Sequence, residues 1–134
     1  MNKINLSKLE LQIFTEQNAL DYCQINSINL YDITELYLRD NELTDISGIK
    51  LFKNLKVLYL YKNYLTDISA LKNLNNLEFL SLHNNKIKDI SVLKDLKNLE
   101  GLYLGNNKFT DISVIKYLNK LRYLDVNKLR LESN

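Results

Sequence analysis

Leu36, Leu58, Leu80, Leu102 and Leu124 stand 22 residues apart, and that single interval restricts the chain to a repeating architecture. Four full units follow one another, ITELYLRDNELTDISGIKLFKN, LKVLYLYKNYLTDISALKNLNN, LEFLSLHNNKIKDISVLKDLKN and LEGLYLGNNKFTDISVIKYLNK, and a shortened fifth, LRYLDVNKLRLESN, runs to the end. Seven columns are apolar in every full unit; in the second they are Leu55, Leu58, Leu60, Leu65, Ile68, Leu71 and Leu74. Leu58 and Leu60, with Tyr59 between them, have the alternation of a short strand. Ile68, Leu71 and Leu74 have the three-residue period of a tight 3₁₀ or helical return. One such coil cannot enclose its own leucines, so neighbouring coils must stack into a parallel sheet with a shared interior.

These residues resemble the leucine-rich repeat, L-x-x-L-x-L-x-x-N-x-L, with Asn41, Asn63, Asn85 and Asn107 in the asparagine column. The recurring Asp-Ile-Ser at 45–47, 67–69, 89–91 and 111–113 is similar to the subclass seen in bacterial internalins and in the leucine-rich regulatory subunit of protein phosphatase 1. The expected fold class is therefore α/β: a solenoid with a curved parallel β-sheet on its concave side and short 3₁₀ or helical returns on its convex side. The asparagines repeat in register, which marks them as architecture. An inward-turned amide can satisfy backbone groups freed by the turn after each strand. The column ends at Leu129, while Leu131 keeps the apolar phase of Leu43 and its sisters.

An array exposes its core at both ends unless it is capped. Shifting the period back from Leu36 lands on Phe14, but the partner column falls on Glu16, so the 22-residue repeat has already failed there. Residues 1–32 are expected to form an N-terminal cap. In it Lys8 to Phe14 is extended, a short helix follows with Thr15 as N-cap, and the two cover Leu36, Leu38 and Leu43. Residues 33–134 are the repeats. The C-terminal end has no comparable cover, which points to fraying or truncation, with self-association through that end as the alternative to a monomer.

Alternation sends the residues between buried leucines to the opposite face of the sheet. At a strand spacing of about 4.8 Å the five triplets make a surface about 20 Å across. Tyr37, Tyr59, Tyr61, Phe79, Tyr103 and Tyr123 crowd it, with Arg39 and His83 alongside. Aromatics favour strands for packing reasons alone. A continuous aromatic surface ringed by polar groups is nevertheless the composition of a recognition site, and these eight residues are the candidate contacts. Gly101 and Gly105 flank Tyr103 and are expected to leave a shallow depression for a partner's side chain.

A net charge of +2 nominates no polyanionic partner. Lys50, Lys72, Lys94 and Lys116 form one column and Asp45, Asp67, Asp89 and Asp111 another of opposite sign, the pattern of a solvated, self-compensating surface. His83 is the only histidine and Cys23 the only cysteine, and no phosphate loop, zinc pattern or calcium loop occurs. No catalytic residue, metal or cofactor is expected. No segment of the sequence has the length and hydropathy of a signal peptide or membrane span, which leads to the expectation of a cytoplasmic protein. The resemblance implies a scaffold that binds another protein. The alternative is a nucleic acid held by tyrosine stacking and lysine contacts.

Overall fold

The computed structural model describes residues 2–127, so Leu129, Leu131 and the terminal RLESN lie outside the described residues. Six parallel strands form one sheet in chain order: β1 Lys3–Asn5, β2 Glu35–Tyr37, β3 Val57–Tyr59, β4 Phe79–Ser81, β5 Gly101–Tyr103 and β6 Tyr123–Asp125. The register pairs Leu36, Leu58, Leu80, Leu102 and Leu124 directly across the sheet. The first four are fully enclosed, whereas Leu124, on the last described strand, is 42% exposed. Position in the stack decides this, because an inner coil is covered on both sides.

Between strands the chain returns through 3₁₀ turns at Ser47–Leu51, Ser69–Leu71, Ser91–Asp95 and Ser113–Tyr117. Each follows the Asp-Ile-Ser signature for a local reason. The aspartate Oδ1 accepts the serine N–H two residues on, at 2.8 Å in all four copies, forming a turn that starts the helix-like return. That backbone hydrogen bond holds the carboxyls of Asp45, Asp89 and Asp111 below the ordinary aspartate range.

The asparagine column is buried. Asn63 Oδ1 accepts from Leu43 N at 3.1 Å in the preceding coil, while its Nδ2 donates to Leu38 O there and to Leu60 O in its own, both at 3.0 Å. Asn85 and Asn107 repeat the pattern one and two coils on. Each amide thus staples two coils, and its oxygen takes a backbone N–H that would otherwise be orphaned.

The residue before each asparagine is left-handed: Asp40, Lys62, Asn84 and Asn106 have φ of 54°, 59°, 58° and 56°. Aspartate and asparagine are favoured in this region by local side-chain hydrogen bonding, which lysine lacks. Lys62→Asn is therefore expected to stabilise the fold by about 0.5–1 kcal/mol, read as a rise in urea midpoint. An unchanged or lower midpoint counts against it.

Residues 1–32 hold a strand and a helix, with the strand earlier in the chain than expected. The strand is Lys3–Asn5, earlier than the Lys8–Phe14 segment, in which Lys8 and Glu10 both have φ of 58° and only Ile13 makes a bridge, to Asp45. β1 pairs in parallel with β2 at a shift of 32 residues, Lys3 to Glu35 and Ile4 to Leu36. At that shift Ile4, Leu6, Leu9, Leu11 and Phe14 align with Leu36, Leu38, Asn41, Leu43 and Ile46. These residues form one more coil, lengthened because the 10-residue helix α1, Glu16–Ile25, occupies its return. Asn41 Oδ1 accepts from Leu9 N at 2.9 Å and Leu11 N at 3.0 Å, so the ladder reaches this coil too.

Thr15 is the N-cap of α1. Its side chain accepts from Asn18 N at 3.2 Å and its own N–H donates to Asn18 Oδ1 at 3.0 Å, a reciprocal box. α1 buries Ala19 and Cys23, and burial pushes the Cys23 thiol up. A Cβ on Gly48 would lie 2.3 Å from Thr15 O, so only glycine lets the cap reach the first return, where Lys50 Nζ meets Glu16 at 2.7 Å. Among the described residues no helix is long and apolar enough to cross a membrane.

Candidate functional site

The strands place the candidate side chains on the face away from the leucine core, and the rings meet one another. Tyr37 and Tyr59 pack edge to face with centroids 4.8 Å apart; Tyr59 and Tyr61 are tilted at 6.1 Å; Tyr61 and His83 are stacked at 4.4 Å with an interplanar angle of 10°. Strand register causes this, since Tyr37 is directly opposite Tyr59. Arg39 lies over the Tyr61 ring at 5.8 Å and Lys3 over Tyr37 at 5.9 Å. The result is a diagonal track of half-buried rings across the first three 22-residue coils.

The remaining candidates are not part of it. Phe79 leans over Gly101, where a Cβ would lie 2.6 Å from Phe79 Cδ1. A Cβ on Gly105 would lie 2.7 Å from Asn127 O. The depression expected beside Tyr103 is thus taken up by the chain itself, at Gly101 by a neighbouring ring and at Gly105 by the next coil's backbone. Tyr103 occupies the β5 register opposite Ser81, and Tyr123 meets no other ring among the described residues and is 55% exposed. Ser81, on the same face, is only 4% exposed because it sits in register between Tyr59 and Tyr103.

The electrostatics of the track are local. The Tyr37 hydroxyl donates to Glu35, and that hydrogen bond, with burial and the carboxylate charge, pushes the phenol up to about 12. Burial lowers the His83 pKa, opposed by Asp125 and helped by Lys62, which favours the neutral ring. Its Nδ1 lies 3.4 Å from Ser81 Oγ. A phenol held above its unfolded pKa of 10 contributes stability that is fully present below pH 10 and lost as pH rises through about 12. In an alkaline titration followed by phenolate absorbance, one tyrosine is expected to ionise near pH 12, and Glu35→Gln to return it toward 10. Titration of every tyrosine near 10 in the unsubstituted protein contradicts the contact.

The lysine column lies elsewhere. Lys50, Lys94 and Lys116 sit in the 3₁₀ returns and Lys72 just after one, so the lysines and the ring track occupy different faces of the coil.

A stack of parallel strands and 3₁₀ returns, stapled by an internal asparagine ladder, defines a solenoid of the leucine-rich repeat class. The family model for leucine-rich repeats in two copies matches residues 32–73, 53–95 and 75–117, and the chain belongs to the leucine-rich repeat family. Among solved structures it is similar to an internalin, InlF, of Listeria monocytogenes, at 29% identity and a TM-score of 0.77, covering 100% of this chain and 43% of that one. A leucine-rich repeat protein of Leptospira interrogans matches at 27% identity and 0.76, covering 98% and 38%. Internalin C2 of L. monocytogenes shares the fold at 24% identity and 0.67, covering 98% and 63%. The chain thus spans less than two thirds of each of these proteins. No curated protein sequence matches it. Leucine-rich repeat domains are in general protein-interaction modules, binding scaffolds rather than enzymes.

Proposed function

We propose that this chain binds another protein through the aromatic face of its sheet, and that it acts by that binding as a regulator or inhibitor. The observation that supports this reading is the ring track from Tyr37 through Tyr59 and Tyr61 to His83, held together before any partner arrives. The stacked backbone fixes where these side chains start, and their mutual contacts limit where they can turn. Binding therefore orders few groups and loses little conformational entropy. Tyrosine and arginine are also the residue types that most often carry interface energy. Tyr103 and Tyr123 extend the footprint toward the last coil.

The test is affinity capture from the native organism with wild type and with Tyr59→Ser/Tyr61→Ser. These residues are only half-buried, so the double variant is expected to keep its cooperative unfolding transition. It is expected to lose at least about tenfold in partner affinity, the scale of two truncated contacts. Undiminished capture by a folded double variant refutes the face.

A further inference from the structure

We infer that the segment gripped by this face is an uncharged, proline-rich stretch in polyproline II conformation, a refinement that rests on the protein-binding reading above. Charge is the first reason. The cations beside the track already have acids: Lys3 lies 3.9 Å from Glu35, Arg39 lies 2.7 Å from Asp40, and Lys62 lies 4.0 Å from that same carboxylate. At the far end Asp125, whose carboxylate accepts from Asn127 N at 2.9 Å, adds a third acid, so three cations face three acids. A face whose charges sum to zero complements a neutral partner, because a strongly charged one would be desolvated there with no net counter-charge to offset the cost.

Hydrogen bonding narrows the form of that partner. Strands β2 to β5 have neighbours on both sides, so their backbone cannot accept another strand and only side chains can bond to a ligand on this face. Tyr37 spends its hydroxyl on Glu35, whereas those of Tyr59, Tyr61 and Tyr103 have no partner among the described residues. They are donors beside apolar rings. A helix consumes its own carbonyls and would leave these donors unmatched. A polyproline II segment has no internal hydrogen bonds, so its carbonyls are free acceptors, and its pyrrolidine rings pack on aromatic surfaces. Both partners are then preformed.

The test is an NMR titration of the full chain, following the ring resonances of Tyr59 and Tyr61. The probes are three capped peptides of equal length: alternating proline and alanine, alternating glycine and serine, and alternating lysine and glutamate. The proline peptide is expected to give saturable shifts that persist in high salt. Tyr59→Phe/Tyr61→Phe, which keeps the rings and removes the donors, is expected to weaken it about tenfold. The inference is overturned if the glycine peptide shifts the rings equally, if the charged peptide is preferred, or if salt abolishes binding. If the proline peptide fails while Tyr59→Ser/Tyr61→Ser still loses the native partner, only this refinement falls. If that variant also retains the partner, the protein-binding reading falls with it.

Discussion

Leu80→Ala is expected to cost about 2–5 kcal/mol of unfolding free energy, measured by urea denaturation. Leu80 is in β4, inside the stack, with no solvent exposure, and its register partners Leu58 and Leu102 are equally enclosed. Truncation removes buried methyl groups and leaves a cavity that paired strands on either side prevent from collapsing. In a solenoid the damage also weakens the interfaces between coils, on which its cooperativity depends. Leu124→Ala serves as the internal comparison. It is the same column in the repeat, but the residue is 42% exposed, so the cost should fall to about 1 kcal/mol or less. Equal costs at the two positions would mean that place in the stack does not govern burial energy.

Asn85→Ala is expected to lose about 3–5 kcal/mol although it removes hardly any apolar surface. Its Oδ1 accepts from Leu65 N at 3.0 Å, and its Nδ2 donates to Leu60 O and Leu82 O, both at 3.0 Å. Alanine orphans the buried Leu65 N–H, at about 1–3 kcal/mol, and removes one bond from each of Leu60 O and Leu82 O, which keep Asn63 Nδ2 and Asn107 Nδ2, at about 0.5–1.5 kcal/mol apiece. Asn119→Ala, at an exposed asparagine, should change stability by no more than about 0.5 kcal/mol. Amide hydrogen exchange gives a second readout, since Leu65 N–H should lose protection in Asn85→Ala. A variant that retains both stability and that protection would show the ladder to be dispensable.

The repeat was legible because its rules are local. Alternation along a strand assigns Leu58 and Leu60 to one face and Tyr59 to the other whatever the rest of the chain does. The Asp-Ile-Ser turn closes on a contact only two residues long. The additional N-terminal coil is hidden at the 22-residue period, which sets Leu36 against Phe14. Its true counterpart is Ile4, and a helix in the return has displaced the phase. The clue was in the sequence, in the spacing of Ile4, Leu6, Leu11 and Phe14, but with Leu9 standing where the motif has asparagine. The left-handed turn before each asparagine had a signal as well in Asp40, Asn84 and Asn106, and Lys62 obscures it.

The candidate site was legible as a face and not as a set of contacts. Alternation alone puts eight residues on one side of the sheet. Which rings touch depends on strand register and side-chain rotation together, and these join Tyr37, Tyr59, Tyr61 and His83 while leaving Tyr123 apart. The glycines show the same limit. Flanking Tyr103 in the chain, they suggested vacant space, but Phe79 from the strand before and Asn127 from the coil after fill it.

By itself the sequence determined the period, the inward leucine and asparagine columns and the outward aromatic one, since each follows from backbone geometry repeated every 22 residues. Only the tertiary structure decided how the first coil closes, which rings lean together and where the surface is full, because those outcomes depend on atoms that meet across strands. Side chains 22 or more positions apart become neighbours only once the coils have stacked.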